Sequence, residues 1–256
     1  ACTGCGTCTK TCPLDVFRLE PAQEALSPCM AACPAGVDIR GNHYLIQQGH
    51  LGEAARRYRS VQPFPAITGR VCFHPCEKKC ARNHVDEAVN IHAVEQIMCD
   101  WDLKAPLERP ARRHITKVAV IGSGPAGLSC AWFLAQMGYP VTVFEAMPLP
   151  GGMLRYGIPA YRLPDAIVAA HIARLEAMGI AFRCNTKIGE GADLSLSDLK
   201  RLGFKAVMLA PGTTVSRKVR MEGVELPGVH WGLEFLRANR GDEQPHLSGD
   251  VLVIGG

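Results

Sequence analysis

Residues 117–127 read KVAVIGSGPAG, and this stretch decides the fold. The four apolar residues after Lys117 predict a short buried strand. Three glycines follow at the spacing G-x-G-x-x-G, namely Gly122, Gly124 and Gly127. The first glycine permits a tight turn, the second lets the backbone approach a pyrophosphate, and the third lets a helix pack closely on the strand. The free N–H groups and positive dipole end of that helix favour phosphate groups. The stretch therefore predicts a dinucleotide-binding unit.

The flanking sequence supplies the context that this motif needs. An apolar helix is predicted over 128–137, and the next strand, PVTVFE, ends in Glu145, where an acidic residue can bind a ribose hydroxyl. An ordinary strand–turn–helix with incidental glycines is the alternative, and this context disfavours it. Further elements are predicted as helices over 165–178, 195–202 (with Ser197 as N-cap) and 231–238, and as strands over 180–184 and 206–213, the latter buried.

Composition narrows the class of protein. A chain of 256 residues can form two domains, and its formal charge of +4, without a long basic run, gives no reason to expect nucleic acid or a membrane surface as partner. No apolar run is long enough for a transmembrane segment. Nine of the twelve cysteines lie in the first 80 residues. Clustered cysteines joined to a nucleotide-binding fold favour metal binding in a reducing, cytoplasmic compartment over a disulfide framework.

The first cysteines form the bacterial ferredoxin pattern. Residues 2–13 read CTGCGTCTKTCP, which is C-x2-C-x2-C-x3-C-P and is typical of a 4Fe–4S cluster. A zinc site would more often show two separated C-x2-C pairs. The thiolates of Cys2, Cys5 and Cys8 would hold the cluster. The fourth ligand of the cluster and the role of Cys12 stay open.

The next segment is predicted to be a helical domain with five thiols. Its helices are expected over 37–49, 51–60 and 88–101. Its cysteines are Cys29, Cys33, Cys72, Cys76 and Cys80. His74 is more readily explained by a hydrogen bond to sulfur than as an iron ligand. The three later cysteines, Cys99, Cys130 and Cys184, are interpreted as buried small hydrophobes.

The chain ends in VLVIGG, which predicts a strand entering a second dinucleotide fold, as in a fragment of a longer flavoprotein. The fold class is therefore α/β, a Rossmann-like domain preceded by a helical iron–sulfur domain and a ferredoxin-type segment. The expected divisions are 1–27 (ferredoxin-type segment), 28–110 (helical domain), 111–249 (first dinucleotide-binding domain) and 250–256 (start of a second dinucleotide-binding domain).

Several motifs together resemble the glutamate synthase small-subunit family, which includes the N-terminal half of dihydropyrimidine dehydrogenase. They are GRVC-x3-C-x3-C, VNIHAVEQ, VAVIGSGPAGL, PGGMLRYGIPAYRLP and VLVIGG, and they span about residues 28–256. The resemblance implies FAD in the first dinucleotide fold and NAD(P)H in the second, which lies beyond this chain.

The resemblance also implies roles for individual residues. The FAD pyrophosphate would contact Gly122, Ser123, Gly124, Pro125, Ala126 and Gly127. Glu145 would bind the ribose, Ile188 would lie near the adenine, and Val71 would bring iron–sulfur and flavin together. The flavin side would be lined by Gly152, Met153 and Arg162.

One departure from the family concerns the clusters. Relatives with two clusters in the helical domain carry a C-x2-C before the position of Cys29, where this chain has AQEALSP. This domain would then hold one cluster, or the ferredoxin run would lend ligands. In dihydropyrimidine dehydrogenase a glutamine completes one cluster, and the matching residue here is Glu95. The resemblance therefore implies a cubane on Cys33, Cys72, Cys76 and Glu95, with Cys29 and Cys80 serving a second cluster or none. The alternative for Glu95 is an ordinary glutamate on an exposed helix face.

Two functions are compatible with these motifs. The first is an oxidoreductase subunit that moves electrons between NAD(P)H, FAD, 4Fe–4S clusters and a partner redox protein or complex. The alternative is a non-catalytic electron-wire or docking subunit in which flavin is absent or structural. The intact glycine motif and Glu145 favour the first.

Overall fold

The computed structural model describes residues 26–241 and 245–255. The predictions made for Cys2, Cys5, Cys8 and Cys12 lie outside these residues. The chain divides into two compact units, the first ending at Pro106 and the second beginning at Leu107. Each unit is described by itself.

The first unit is helical, and residue types typical of helix ends mark its elements. Its helices are α1 (Pro28–Ala32), α2 (Ile39–Gln47), α3 (Leu51–Arg59), α4 (Pro65–Val71), α5 (Pro75–Lys78) and α6 (Ile91–Lys104), with a 3-10 turn at Ala81–His84. Three of them, α1, α4 and α5, begin with proline, which has no N–H to leave unbonded. Asp38 and Asn90 cap α2 and α6 by accepting hydrogen bonds from backbone N–H groups.

Helix α6 is the centre of this unit, because α3 and α4 both pack against it. Its buried face includes Met98 and Cys99. Two ion pairs fix the neighbouring helices to it: Arg70 of α4 contacts Asp100 in bidentate fashion at 2.6 and 2.9 Å, and Arg59 of α3 contacts the buried Asp102. The three helices predicted in this segment are confirmed, with one start unchanged at Leu51 and the other ends shifted by one to three residues.

The second unit is built on a four-stranded parallel sheet. The strands are β1 (Lys117–Ile121), β2 (Val141–Phe144), β3 (Ala181–Arg183) and β4 (Phe204–Leu209), in the order β3-β2-β1-β4. Val118 pairs with Val141 of β2 and with Ala206 of β4. This is the strand order of the first half of a doubly wound dinucleotide-binding sheet, so the predicted Rossmann-like fold is confirmed.

Five helices accompany the sheet: α7 (Pro125–Gln136), α8 (Met153–Tyr156), α9 (Asp165–Ala177), α10 (Leu196–Arg201) and α11 (Gly232–Arg240). A cluster formed by Ala119, Phe144, Leu199 and Phe204 lies under the centre of the sheet. The carboxyl ends of β1 and β2 lead into the glycine turn and Glu145, so both predicted binding elements lie at one edge of the sheet.

Three details of the prediction are wrong. Strand β4 was expected to be buried, but only Phe204 is, because β4 is an edge strand among the residues described. Residues 251–255 form no strand and expose their apolar side chains, since a strand needs a hydrogen-bonded neighbour. The N-cap of α10 is Ser195 rather than Ser197, and Ser195 and Asp198 form a reciprocal capping box.

Membrane insertion finds no support in the helices that the structure describes, none of which combines the length and the apolar character that a spanning segment needs.

Candidate functional site

The three glycines of the turn after β1 have two different roles. Gly122 has a φ of +98°, and a Cβ placed there would overlap the carbonyl oxygen of Ala210. A Cβ on Gly127 would overlap the carbonyl oxygen of Gly122. A Cβ on Gly124, in contrast, would meet nothing within 4 Å. Gly122 and Gly127 are therefore needed by the protein itself, whereas Gly124 borders open space at the N-terminus of α7.

Ser123 and Glu145 connect this turn to the rest of the site. Both are buried. Glu145 Oε2 accepts hydrogen bonds from the Ser123 N–H, at 2.9 Å, and from its hydroxyl group, and Oε1 accepts from the Met147 N–H at 2.9 Å. Ser123 Oγ in turn accepts from the Gly151 N–H at 2.9 Å. The carboxylate predicted to bind a ribose therefore also fixes the backbone of the glycine turn.

The segment PLPGGMLRYG lies directly against the glycine turn. Gly152 has a φ of +51°, and a Cβ there would stand 2.7 Å from the Cα of Gly124. Only a glycine lets these two backbones approach so closely. Tyr156 stabilises the loop, because its hydroxyl group accepts from the Leu149 N–H at 3.0 Å and donates to the Leu149 carbonyl at 3.1 Å.

Arg240, at the end of α11, holds this loop from a distant part of the chain. Its Nε donates to the Arg155 carbonyl at 2.6 Å and its terminal nitrogen to Asp165 at 2.8 Å, and its side chain is only 4% exposed. Arg155 itself donates to the Pro150 carbonyl at 3.0 Å. Sequence reasoning missed Arg240, because no local motif surrounds it and its partners precede it by 75 and 85 positions.

The other residues predicted to bind FAD occupy different surroundings. Pro125 and Ala126 are exposed at the start of α7, and Met153 begins α8 half-buried. Arg162 is exposed. Ile188 packs on the cluster beneath the sheet. In the first unit, Val71 is half-buried at the end of α4.

The five thiols of the helical unit lie at helix ends and turns. Cys29 is in α1, Cys33 caps its C-terminus, Cys72 follows α4, Cys76 is in α5, and Cys80 precedes the 3-10 turn. All five are free, and Cys76 and Cys80 are buried. Because α1 packs against α5, the segments that carry Cys29, Cys33 and Cys76 are neighbours.

Thiols dominate the candidate metal donors of this unit. Within 26–241 and 245–255 no group of three His, Cys, Asp or Glu side chains is gathered closely enough to hold one metal ion. A cubane spreads its ligands farther apart, because each thiolate binds a different iron. Thiolates are the ligands that iron–sulfur clusters prefer.

Glu95 on α6 is the unusual polar group of this unit. Its Oε1 is buried and has no hydrogen-bond partner. Burial, followed by the negative charge of Glu77, raises the pKa of Glu95 to about 7. Burial and then the charge of Glu95 raise the pKa of the Cys76 thiol to about 12. Glu95 is therefore close enough to Cys76 to affect its ionisation.

The remaining cysteines differ in burial. Cys99 is fully buried, as expected for a small hydrophobe. Cys130 and Cys184 are only half-buried, so that expectation is wrong in degree. Burial raises the pKa of all three thiols, which makes them poor nucleophiles.

Comparisons with known families match both units. Residues 23–106 match the model described as dihydropyrimidine dehydrogenase domain II, 4Fe-4S cluster. Residues 116–256 match the model described as pyridine nucleotide-disulphide oxidoreductase.

Curated relatives cover nearly the whole chain. The NADPH-Fe(3+) oxidoreductase subunit beta of Geobacter sulfurreducens is 38% identical over 95% of this chain, and the match covers 37% of the relative. The NADP(+)-dependent formate dehydrogenase subunit beta of Moorella thermoacetica is 37% identical over 90%, covering 36% of the relative. The glutamate synthase [NADPH] small chain of Bacillus subtilis is 38% identical over 94%, covering 54% of the relative. The chain thus spans between about a third and about half of the length of these relatives.

Two solved structures align with part of this chain. FprA from Mycobacterium tuberculosis in complex with NADPH aligns with a TM-score of 0.44 and 22% identity, over 49% of this chain and 29% of that one. A 2-naphthoyl-CoA reductase aligns with a TM-score of 0.39 and 20% identity, over 64% of this chain and 26% of that one.

Proposed function

The chain belongs to the pyridine nucleotide-disulphide oxidoreductase family, and from this premise we propose that it is an electron-transfer subunit containing FAD and iron–sulfur clusters. It moves electrons between NAD(P)H, FAD, 4Fe–4S clusters and a partner redox protein or subunit. The relatives that carry the family resemblance are named as beta or small subunits, which supports a partner within a larger complex.

The observation that carries this proposal is the open space beside Gly124. The protein fills the Cβ positions of Gly122 and Gly127 with its own backbone but leaves that of Gly124 empty. The first turn of α7 has N–H groups without partners in the helix, and such groups would stabilise an anion placed in this space. The residues present therefore fit the pyrophosphate of FAD.

Each element around that space has a task in binding. The turn from Gly122 to Gly127 holds the pyrophosphate, and Glu145 offers its remaining lone pairs to the ribose while keeping Ser123 in place. Gly152 and Met153 line the flavin side, Arg162 supplies a positive charge, and Ile188 borders the adenine. When bound, FAD supplies the exchange between a hydride and single electrons.

The helical unit holds the clusters. Cys33, Cys72 and Cys76 supply thiolates to one cubane, and the buried, unpartnered Oε1 of Glu95 fits its fourth position. Cys29 and Cys80 serve a second cluster or none. The ferredoxin run would hold a further cluster on Cys2, Cys5 and Cys8, completed by Cys12 or a distant thiol.

The test of the flavin site is Gly124→Val. Because nothing lies within 4 Å of the added Cβ, the variant keeps its stability, while the side chain occupies the space for the pyrophosphate. We expect FAD absorbance in the wild-type protein and its loss in the variant, with iron and acid-labile sulfide unchanged. Gly232→Val is the matched control, since a Cβ at Gly232 on α11 also meets nothing within 4 Å. Full flavin content in Gly124→Val contradicts the site, and an iron–sulfur spectrum without flavin in the wild type favours an electron-wire subunit.

The test of the cluster ligand is redox-monitored EPR of Glu95→Gln and Glu95→Cys. A carboxylate is anionic and gives iron more charge than a neutral amide, so Glu95→Gln raises the reduction potential of its cluster. Glu95→Cys changes the signal shape, because a thiolate replaces the oxygen ligand. If both variants keep the wild-type potentials and line shapes, Glu95 is not a ligand.

A further inference from the structure

The turn between Cys72 and Cys76 has an unusual conformation. His74 has a φ of 40° and a ψ of 62°, in the left-handed region that residues other than glycine rarely adopt. Pro75 follows it, and a proline disfavours helical and favours extended backbone in the residue before it. Such strain costs about 1–3 kcal/mol and persists only where surrounding contacts enforce it.

The conformation brings a backbone donor to a sulfur atom. The His74 N–H donates to Cys72 Sγ with a nitrogen–sulfur distance of 3.3 Å. This N–H lies in the peptide plane between Phe73 and His74, and the φ of His74 sets where its ring and Pro75 lie relative to that plane. Sequence reasoning expected a hydrogen bond from His74 to sulfur, and the structure supplies it from the backbone rather than from the ring.

The imidazole ring fixes the turn from three sides. Its Nδ1 lies 3.3 Å from the Cys72 carbonyl oxygen, which can only accept, so the tautomer protonated at Nδ1 donates to it. Its Nε2 lies 3.5 Å from Glu77, and the ring packs at 4.8 Å on the ring of His92.

Glu77 extends this support to the next helix. Its other carboxylate oxygen accepts from the His92 N–H at 2.8 Å, in the first turn of α6. The ring of His74 is therefore held between the Cys72 turn and the start of α6, and its contacts fix the turn relative to α6.

We propose that His74 is a positioning residue, whose ring contacts with the Cys72 carbonyl, Glu77 and His92 hold the Phe73–His74 peptide plane in the left-handed turn, so that the His74 N–H points at Cys72 Sγ and raises the reduction potential of the cluster bound there. The inference rests on the proposed function, in which Cys72 is a cluster ligand. A reduced cluster carries one more negative charge, and an N–H dipole directed at its sulfur stabilises that charge.

The decisive experiment is a redox titration monitored by EPR, with iron and acid-labile sulfide measured in parallel. His74→Gly keeps the backbone N–H and removes both the ring and the strain of the left-handed conformation. We expect normal iron and sulfide and a redox equilibrium constant lowered about tenfold for one cluster, which is about 59 mV for a one-electron couple. His74→Asn tolerates the left-handed conformation and keeps a short side chain that can bond to the backbone. It should return the potential to within about twofold of wild type in the equilibrium constant.

The control is His84→Ala, which removes an exposed histidine in the 3-10 turn and should change no potential. If His74→Gly holds a full cluster with the wild-type potential, the proposed role of His74 is wrong and the proposed clusters stand. Absence of iron and sulfide from the wild-type protein overturns the proposed clusters and this inference together. If His74→Gly loses iron, His74→Asn decides: a near wild-type potential supports the lock, and a tenfold shift overturns it.

Discussion

Two glutamates with buried carboxylate oxygens, the buried Glu145 and the half-buried Glu95, show how differently the two units prepare their sites. Glu145, at the end of β2, has both carboxylate oxygens engaged by Ser123 and Met147. Glu95, on α6, has a buried oxygen without any hydrogen bond. A buried carboxylate without partners is costly, and the pKa of Glu95 raised to about 7 expresses that cost.

The difference extends beyond the two carboxylates. Asn42 on α2 is fully buried with neither side-chain polar atom hydrogen-bonded, and His43 beside it buries an unpartnered Nε2. In the dinucleotide unit, Ser123, Glu145 and the N–H of Gly151 satisfy one another. The polar groups of the dinucleotide site thus satisfy one another, whereas the described part of the helical unit buries polar atoms that no hydrogen bond satisfies.

The largest effect expected from this comparison is that of Glu145→Gln. An amide NH2 cannot accept, so either the Ser123 N–H or the Met147 N–H loses its acceptor. We expect the second unit to lose about 3 kcal/mol of unfolding free energy in urea titrations. Glu190→Gln, at an exposed turn position, is the control and should change the free energy by less than about 0.5 kcal/mol. If Glu145→Gln and Glu190→Gln had the same unfolding free energy, the hydrogen bonds of Glu145 would not stabilise the second unit, and the contrast between the two glutamates would fail.

A smaller effect of opposite sign is expected for Asn42→Leu. Replacing a buried amide that has no partner by an apolar side chain of similar length should stabilise the helical unit by about 1 kcal/mol, measured from its thermal or urea transition. Asn83→Leu is the comparison variant, because the Asn83 side chain donates to the Glu77 carbonyl at 3.0 Å and its loss should not stabilise. A destabilised Asn42→Leu would mean that Asn42 has a partner in the protein as it is isolated.

The smallest effect concerns pH and His43. Burial lowers the pKa of His43 below its ordinary 6.5, so the folded unit resists protonation that the unfolded chain accepts. Between these two pKa values the unfolded state binds more protons, and stability therefore falls as pH drops below about 6.5. Unfolding free energies measured from pH 7.5 to 5 should decrease less in His43→Gln than in wild type. Parallel curves for the two proteins would exclude this origin of acid sensitivity.

The parts that could be predicted from the sequence are those set by short-range patterns. The strand, the glycine spacing and the acid after β2 all lie within 30 residues, so β1, α7, β2 and Glu145 were placed correctly. The exposure of β4 and of residues 251–255 depends on neighbours that local patterning does not specify. The hydrogen bond between Ser123 and Gly151 and the contacts of Arg240 join segments far apart in sequence. No local sequence motif predicts such contacts.

The contact of Arg240 with the Pro150–Tyr156 segment also has a consequence for the order of folding during translation. Its acceptor at Arg155 precedes it by 85 positions, so a ribosome adding about 5–20 residues per second needs roughly 4–17 s to make the second after the first. During that interval β1, α7 and β2 leave the ribosome, while the Pro150–Tyr156 segment still lacks its hydrogen bond from Arg240. The contacts of Arg240 with this segment therefore form only after α11 has been translated.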